Sequence, residues 1–290
     1  MIYYCNMFRG LIILICLISL SACGNNLFES FDDEENTTDN LINQLEYAEN
    51  SEDLQTIIDN ADTIINDTDK SNTEKGEAQL IKAEAIISKA GLSPLDVLAD
   101  IGETVDNPNI NNFNALKIDE TKKESLIEAA KEIDNANTNG VQGSDDQDLM
   151  KGITNLGVVS AVVDESIIIE DSGSITLKDE SKSYYETLET MMYPDPADTT
   201  KTTLDYATTG LSGLEDSDSF TNEQETEINE VKTSINKVND LHTAAKNGGT
   251  YTKSDGSQFT FSGNFDSNGD LSNQSEQSLI EQELSSIFGN

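Results

Sequence analysis

The sequence is poor in several residue types that catalytic and structural sites depend on. Its 290 residues include no Trp, one His (His242) and one Arg (Arg9), and all three Cys lie within the first 23 residues. Residues 24–290 therefore carry no thiol, which excludes disulfides, zinc–thiolate sites, iron–sulfur clusters and cysteine nucleophiles from them. Ser-His-Asp catalysis would depend on His242, and the sequence contains no Gly-x-Ser-x-Gly nucleophile motif. We therefore predict that the protein is not an enzyme.

Positive charge is also scarce. The chain has 17 Lys and Arg against 55 Asp and Glu, which gives a formal net charge of −38. Nucleic-acid binding depends on neutralising phosphates with Lys and Arg, so this balance predicts no nucleic-acid partner. It also argues against a body that lies flat on anionic lipid. Apolar residues make up 36% of the chain and recur with a helical period, which indicates a folded body between acidic loops.

The apolar run near the N-terminus is short. Residues 11–20 are mostly apolar and follow Arg9, and the chain turns polar from Ser21 onward. A membrane-spanning helix needs ~20 consecutive apolar residues. A positive residue, a shorter apolar core and small residues at the end are typical of a secretory signal peptide. We predict that residues 1–22 are such a signal, which begins at Met1 or at Met7.

The segment Leu20–Cys23, "LSAC", closes this run and resembles the lipobox of bacterial lipoproteins. The resemblance implies cleavage before Cys23, a thioether-linked diacylglycerol on its sulfur and an acyl chain such as palmitate on the new amino group. It implies a lipid anchor in the cell envelope, and Gly24 favours the outer membrane, or the outer face of the plasma membrane in a cell without one. Removal of residues 1–22 takes away the one Arg and no acid, which leaves a net charge of −39. Residues 23–39 are then the lipidated Cys and an acidic tether.

From residue 40 to 249 the apolar residues recur with the period of helices. Residues 54–65 carry a clean amphipathic stripe. Residues 76–90 are apolar or small almost all round, which predicts a buried helix ended by Gly91, and a second buried helix is predicted at 147–169. The other predicted helices are marked by Leu41 and Leu45, by Pro94 before Leu95 and Leu98, by a capping box at Thr121 and Glu124, by Tyr184 to Met192, by Asp195-Pro196 before Leu204, and by Thr221 and Gln224 before Ile228.

Residues 55–91 contain "DTIIND", an acidic turn and "EKGEAQLIKAEAIISKAG", and they resemble the join between two tetratricopeptide (TPR) repeats. In such a join, helix B of one repeat packs on helix A of the next, and a Gly closes helix A. Residues 146–170, with "LMKGITNLGVVSAVVDESIII", resemble a second buried helix of this type. The resemblance implies an all-α, TPR-like array of helical hairpins, an α-solenoid, over residues 40–249, and a surface that binds a protein or peptide.

After residue 249 the apolar pattern changes to a period of two. "TYTKSDGSQFTFSG" alternates around Asp255-Gly256, which predicts a small β-hairpin at about 250–262. A two-residue loop would place Tyr251 opposite Thr260, whereas a three-residue loop would comprise Ser254, Asp255 and a left-handed Gly256. We favour the longer loop because it puts three aromatic side chains on one face: Tyr251, Phe259 and Phe261. A short final helix at about 275–287 completes the C-terminal region, residues 250–290, which we expect to pack on the helical domain.

The sequence offers two further candidate sites. His242 continues an apolar stripe on its predicted helix, so we interpret it as a histidine at the edge of a helix contact. "DSNGD" resembles the start of an EF-hand loop, with Asp266, Asn268 and Asp270 at ligand positions 1, 3 and 5. It departs from that loop where Leu271 replaces the turn Gly and Gln277 replaces the bidentate Glu, so an Asx-rich turn is the alternative. We predict no cofactor apart from the covalent lipid, with calcium at this loop as the weaker possibility.

Together these features predict a lipid-anchored envelope protein that acts as a non-catalytic interaction scaffold. Its partner would be a protein or peptide, and a basic one given the charge of the body. The alternative is a surface lipoprotein that binds a sugar or peptide beside a transporter, and a deep aromatic pocket around Tyr184, Tyr185 and Tyr206 would favour it. A hydrolase that uses a carboxylate pair is a third hypothesis.

Overall fold

The structure, a computed structural model, describes residues 37–92, 120–141, 144–169, 174–195, 200–216, 222–267 and 269–288. These residues are mostly helical, as the sequence predicts, and they include two small antiparallel sheets, β1–β2 and β3–β4. The elements are α1 (Thr37–Glu46), α2 (Ser51–Asn66), α3 (Asn72–Lys89), α4 (Glu120–Thr138), α5 (Asp145–Ser166), β1 (Ile167–Ile169), β2 (Ile175–Leu177), α6 (Tyr184–Met192), α7 (Thr203–Asp216), α8 (Asn222–Asn247), β3 (Thr250–Thr252), β4 (Gln258–Thr260) and α9 (Gln274–Phe288).

Helices α2 to α5 pack side by side in chain order, and we call this group the helical array. Residues 67–71 join α2 to α3, so the two helices form a hairpin. Lys82 on α3 bonds Asp62 on α2 at 2.8 Å and Glu132 on α4 at 2.7 Å. Lys123 near the start of α4 bonds Glu165 near the end of α5, as expected for antiparallel neighbours. Helix α1 packs against α2 and α3.

Helix α3 confirms the buried helix predicted at residues 76–90. Its small and branched side chains are buried on nearly every face, because α2 packs on one side of it and α4 on the other. A capping box between Ser71 and Glu74 begins the helix. Gly91, with φ of +68°, ends it in a Schellman motif, in which the Leu92 N–H donates to the Ile87 carbonyl at 3.2 Å.

Helix α5 is buried as predicted, but the predicted bound at residue 169 is wrong. The helix ends at Ser166, and Ile167–Ile169 form strand β1 instead. Strand β1 pairs with β2, Ile167 opposite Leu177 and Ile169 opposite Ile175. Three consecutive β-branched residues favour a strand, because their side chains crowd a helix and pack well on a pleated surface. The fold therefore has a second small sheet in addition to the predicted hairpin.

Helix α7 lies unusually close to α5 because glycines line their contact. A Cβ atom added to Gly213 would come within 2.6 Å of the Asp148 carbonyl oxygen and 2.7 Å of the Gly152 nitrogen. A Cβ on Gly210 would come within 2.8 Å of Leu156. Only residues without side chains allow this backbone approach.

The C-terminal hairpin confirms the favoured three-residue loop. Tyr251 pairs with Phe259, the Lys253 N–H donates to the Ser257 carbonyl at 2.7 Å, and Gly256 has φ of +81°. Phe261 packs edge-on to Phe259 with ring centroids 5.1 Å apart. We call the group formed by α6, α8, α9 and this hairpin the C-terminal assembly, since α8 contacts both α6 and α9 and also β3.

Several predicted helix bounds need correction. Helix α4 begins at Glu120, so Thr121 lies inside the helix and is not its cap. Helix α7 begins at Thr203, where Thr202 accepts from the Asp205 N–H at 3.2 Å, and not at Asp195-Pro196. Helix α1 begins at Thr37, which shortens the predicted tether by three residues. The predicted signal, Cys23, the Pro94 helix and Thr221 lie outside the described residues.

Candidate functional site

A cavity of ≈ 380 Å³ opens between the end of α1, the start of α2 and the end of α3. Its wall combines apolar side chains with polar and charged ones. The lining residues are Leu45, Ala48, Glu49, Asn50, Ser51, Leu54, Glu84, Ser88 and Lys89.

One side of this cavity is held in place by the cap of helix α2. The Asn50 side chain accepts hydrogen bonds from the N–H groups of Glu52 at 2.9 Å and Asp53 at 3.1 Å. The Asp53 carboxylate in turn accepts from the Asn50 side chain at 2.8 Å and from the Glu49 N–H at 3.0 Å. These bonds satisfy the first amides of α2 and fix the turn that leads into it.

Glu84 is the unusual residue of the lining. It sits on α3, the helix that the array buries, and reaches the cavity from a position between Ala83 and Ala85. The side chain as a whole is half-buried, but its Oε2 atom is enclosed and has no hydrogen-bond partner among the described residues. Burial raises the pKa of Glu84 to about 7. The sequence shows this residue only as an acid within "AEAII", and we did not predict it as a site.

The cation of the lining does not neutralise Glu84. The Lys89 Nζ donates to Gln55 Oε1 on α2, and burial alone accounts for the raised pKa of Glu84. Glu49, the other charged lining residue, is exposed and negative. The cavity therefore holds a carboxyl group that has no counter-ion among the described residues.

A second polar cluster surrounds His242 on α8. Its Nε2 lies 3.2 Å from Glu189 Oε1 without the angle of a hydrogen bond, and its ring stacks on Tyr185 with centroids 6.5 Å apart. Glu189 also accepts from the Tyr185 hydroxyl at 2.7 Å and pairs with Lys246 at 3.1 Å. Burial lowers the pKa of His242 more than the Glu189 carboxylate raises it. This buried position agrees with the predicted place of His242 at a helix contact.

The "DSNGD" loop joins α6 to α9 through one carboxylate. Asp270 Oδ1 accepts from the Ser183 hydroxyl at 2.7 Å, from the Leu271 N–H at 2.8 Å and from the Gln277 side chain. Asp266 Oδ1 accepts from the Asp270 N–H at 3.1 Å, and the Asp266 N–H donates to the Asp270 carbonyl at 2.7 Å, so the two residues close the loop. Asn268 lies outside the described residues, and within the described part of the chain no group of three or more His, Cys, Asp or Glu residues is placed to hold a metal. Calcium binding at this loop stays a prediction.

The three tyrosines named as a possible pocket lie in packed surroundings. Tyr206 is fully buried, with Lys201 Nζ 4.2 Å from its ring centroid. Tyr185 is buried between His242 and Phe265, and Tyr184 is half-buried on the same helix. The cavity lined by Glu84 contains none of these tyrosines.

No protein-family model, curated protein or solved structure matches this chain. Of the helices formed by the described residues, none is both long enough and apolar enough to cross a membrane.

Proposed function

We propose that the protein is a lipid-anchored, non-catalytic scaffold of a bacterial cell envelope. The observation that carries the proposal is the "LSAC" segment at Leu20–Cys23, directly after the apolar run of residues 11–20. Acyl chains on Cys23 would supply the membrane affinity, because two or more chains give stable anchoring where one does not. The acidic residues that follow would hold the helical body away from the lipid surface.

The interaction role rests on the helical array and on charge. Side-by-side antiparallel helices present grooves, and residues 55–91 resemble the join of TPR repeats, which bind partners in such grooves. Many of the scarce Lys residues pair with acids of the same chain, and the large excess of acidic residues stays uncompensated. These pairs include Lys82 with Asp62 and Glu132, Lys123 with Glu165, Lys131 with Asp195, Lys178 with Asp164, Lys201 with Asp134 and Lys246 with Glu189. A basic protein or peptide is therefore the partner that we propose.

Acyl labelling tests the anchor. The wild-type chain expressed in a bacterial host should incorporate labelled palmitate and lose residues 1–22. Cys23→Ala should incorporate none and should stay uncleaved or leave the membrane fraction. Cys16→Ala is the matched control, since it removes a thiol from the apolar run and should be labelled like the wild type. Acylation of Cys23→Ala would show that the anchor is assigned wrongly.

The salt dependence of binding tests the partner. After crosslinking of the lipidated protein in its native membrane, the association rate of the recovered partner should fall steeply between low salt and ~0.5 M, because steering of opposite charges is screened. A strongly acidic partner that binds without a divalent metal would contradict the proposal.

The second candidate function is ligand binding beside a transporter, and the cavity at Glu84 favours it. Its ≈ 380 Å³ falls in the range of small-molecule sites, ~300–1,000 Å³. A ligand site in this cavity is compatible with the scaffold role.

A further inference from the structure

We infer that the cavity lined by Glu84 binds a small organic cation, whose ammonium group pairs with the Glu84 carboxylate. This inference goes beyond the proposed scaffold role and does not depend on the lipid anchor. It rests on three observations: the cavity, the enclosed carboxyl oxygen without a partner, and the charges of the lining.

An enclosed carboxylate without a partner destabilises the folded state. Burial removes the water that stabilises the charge, so the group must bind a proton or meet a cation. Glu84 Oε2 faces this choice, because it has no hydrogen-bond partner among the described residues. An alkylammonium group offers both the positive charge and N–H donors, so it can replace the proton.

The rest of the lining favours a cation over an anion. Glu49 adds negative charge, and Lys89 is held by Gln55 on the neighbouring helix. The cavity also meets the last turn of α3 at Ser88 and Lys89, where the carbonyl end of the helix dipole favours positive charge. The amides at the start of α2, which would favour an anion, are occupied by Asn50, and Asp53 adds another negative charge beside them.

The size and apolar part of the lining indicate the class of cation. A volume of ≈ 380 Å³ is much larger than a bare metal ion requires. Leu45, Ala48 and Leu54 offer apolar contact for the carbon atoms of an organic amine. The ammonium group could belong to a free small molecule or to a Lys side chain of a bound peptide.

Binding and protonation of Glu84 must then be linked. The charged ligand requires the ionised carboxylate, and a proton is released when binding starts from the protonated form. With a pKa of about 7, the affinity should be near its maximum at pH 8 and about tenfold weaker at pH 6.

The test is calorimetry on the full chain with 1,5-diaminopentane as the free amine and N-acetyl-lysine methylamide as the side-chain mimic. 1-Pentanol is the uncharged control. Titration at pH 8 and pH 6, and at pH 6 in two buffers with different ionisation enthalpies, gives both the affinity and the number of protons released. At least one amine should bind about tenfold more weakly at pH 6 than at pH 8, with release of about one proton at pH 6. Binding of the first amine assigns a free ligand, and binding of the mimic alone assigns a Lys side chain.

Two variants separate Glu84 from general charge. Glu84→Gln keeps the shape of the side chain and should lose at least tenfold in affinity together with the pH dependence. Glu46→Gln removes the same charge from an exposed position of α1 outside the lining and should bind like the wild type. Circular dichroism of both variants checks that they fold. Failure of both amines to bind the wild type at ~10 mM and pH 8, or equal binding by Glu84→Gln, would overturn the inference. Either failure leaves acylation of Cys23 unaffected, so it does not bear on the scaffold proposal.

Discussion

The helical array and the C-terminal assembly share one apolar core, but the polar contacts that add to it differ. In the array, helices that follow one another in the chain pack through apolar and small side chains, and Lys82 bridges α2 and α4 from the helix between them. In the C-terminal assembly, carboxylates also join the hairpin and the loop before α9 to the helices. Glu283 on α9 accepts from the Tyr251 hydroxyl at 3.1 Å and from the Ser254 N–H at 2.9 Å.

The same pattern recurs elsewhere in the C-terminal assembly. Glu276, almost fully buried, accepts from the Ser262 N–H at 2.7 Å, and Asp270 joins Ser183 to the start of α9. The comparison teaches that the antiparallel helices of the array align along matching apolar faces, whereas the hairpin and the loops of the C-terminal assembly also use directional hydrogen bonds to carboxylates to fix their positions on the helices. Variants of single residues test the apolar packing and the polar contacts separately.

The largest effect is expected in the array. Ile87 and Val159 are 2% and 5% exposed, so Ile87→Asp or Val159→Asp places an unpaired charge in the core. Each should cost about 3–5 kcal/mol in the free energy of unfolding, measured by denaturant titration. Ile168→Asp, at a position that is 40% exposed, is the control and should cost about 1 kcal/mol or less. Unchanged stability of both core variants would mean that α3 and α5 are not buried.

The second largest loss of stability is expected in the C-terminal assembly. Glu283→Ala leaves the Tyr251 hydroxyl and both donors of Ser254 without their acceptor, which should cost about 2–3 kcal/mol. Hydrogen exchange should show the loss first in the hairpin. Gln282→Ala, at the exposed neighbouring position of α9, should leave both stability and exchange almost unchanged. Equal effects of the two variants would show that the Glu283 carboxylate does not stabilise the hairpin.

The third largest loss of stability is expected at the glycine contact between α5 and α7. Gly213→Ala forces a Cβ against backbone atoms that cannot move separately, so we expect a loss of about 2 kcal/mol despite the higher helix propensity of Ala. Gly249→Ala is the control, because the nearest atom to its added Cβ is the Ala244 Cα at 4.0 Å. If Gly213→Ala melts at or above the wild-type temperature, the two helices are not in close contact.

The buried ion pair of the array should matter less than its apolar contacts. Burial alone would lower the pKa of Lys82, but its bonds to Asp62 and Glu132 raise it overall. Lys82→Met keeps the apolar stem and should cost about 1–2 kcal/mol, because Asp62 is itself partly exposed. Lys70→Met, which breaks the surface pair with Glu74, should cost less. A loss as large as that of Ile87→Asp would show that the ion pair, and not the apolar core, holds the array.

The smallest effect is a pH dependence of the C-terminal assembly. Because the pKa of His242 is lowered in the folded chain, the stability that this residue contributes is present above its ordinary pKa and is lost as the pH falls. The wild type should therefore lose more stability than His242→Gln between pH 7 and pH 5. Parallel stability curves for the two proteins would show that His242 is not buried beside Glu189.

Local patterns and long-range contacts differ in how far the sequence predicts them. The stripe at residues 54–65, the apolar surface of residues 76–90 and the alternation around Asp255-Gly256 predict α2, α3 and the hairpin register, because each is a local pattern. Strand β1 was missed because Ile167 also continues the helical stripe of α5. The carboxylate contacts of Glu283 and Asp270 depend on which distant elements meet, which no local pattern contains.

The cavity was missed for the same reason. Glu84 is one of 55 acidic residues, and its enclosure becomes visible only when α1, α2 and α3 are brought together. The predicted α-solenoid, the lipid on Cys23 and the basic partner remain predictions.

The most direct test of the central proposal is the mass of the N-terminal peptide of the protein extracted from its own membrane with detergent. The account predicts that the first residue is Cys23, that residues 1–22 are absent, and that the mass carries a diacylglyceryl group and an amide-linked acyl chain. A peptide that retains residues 1–22, or that begins at another residue with an unmodified Cys23, would contradict it.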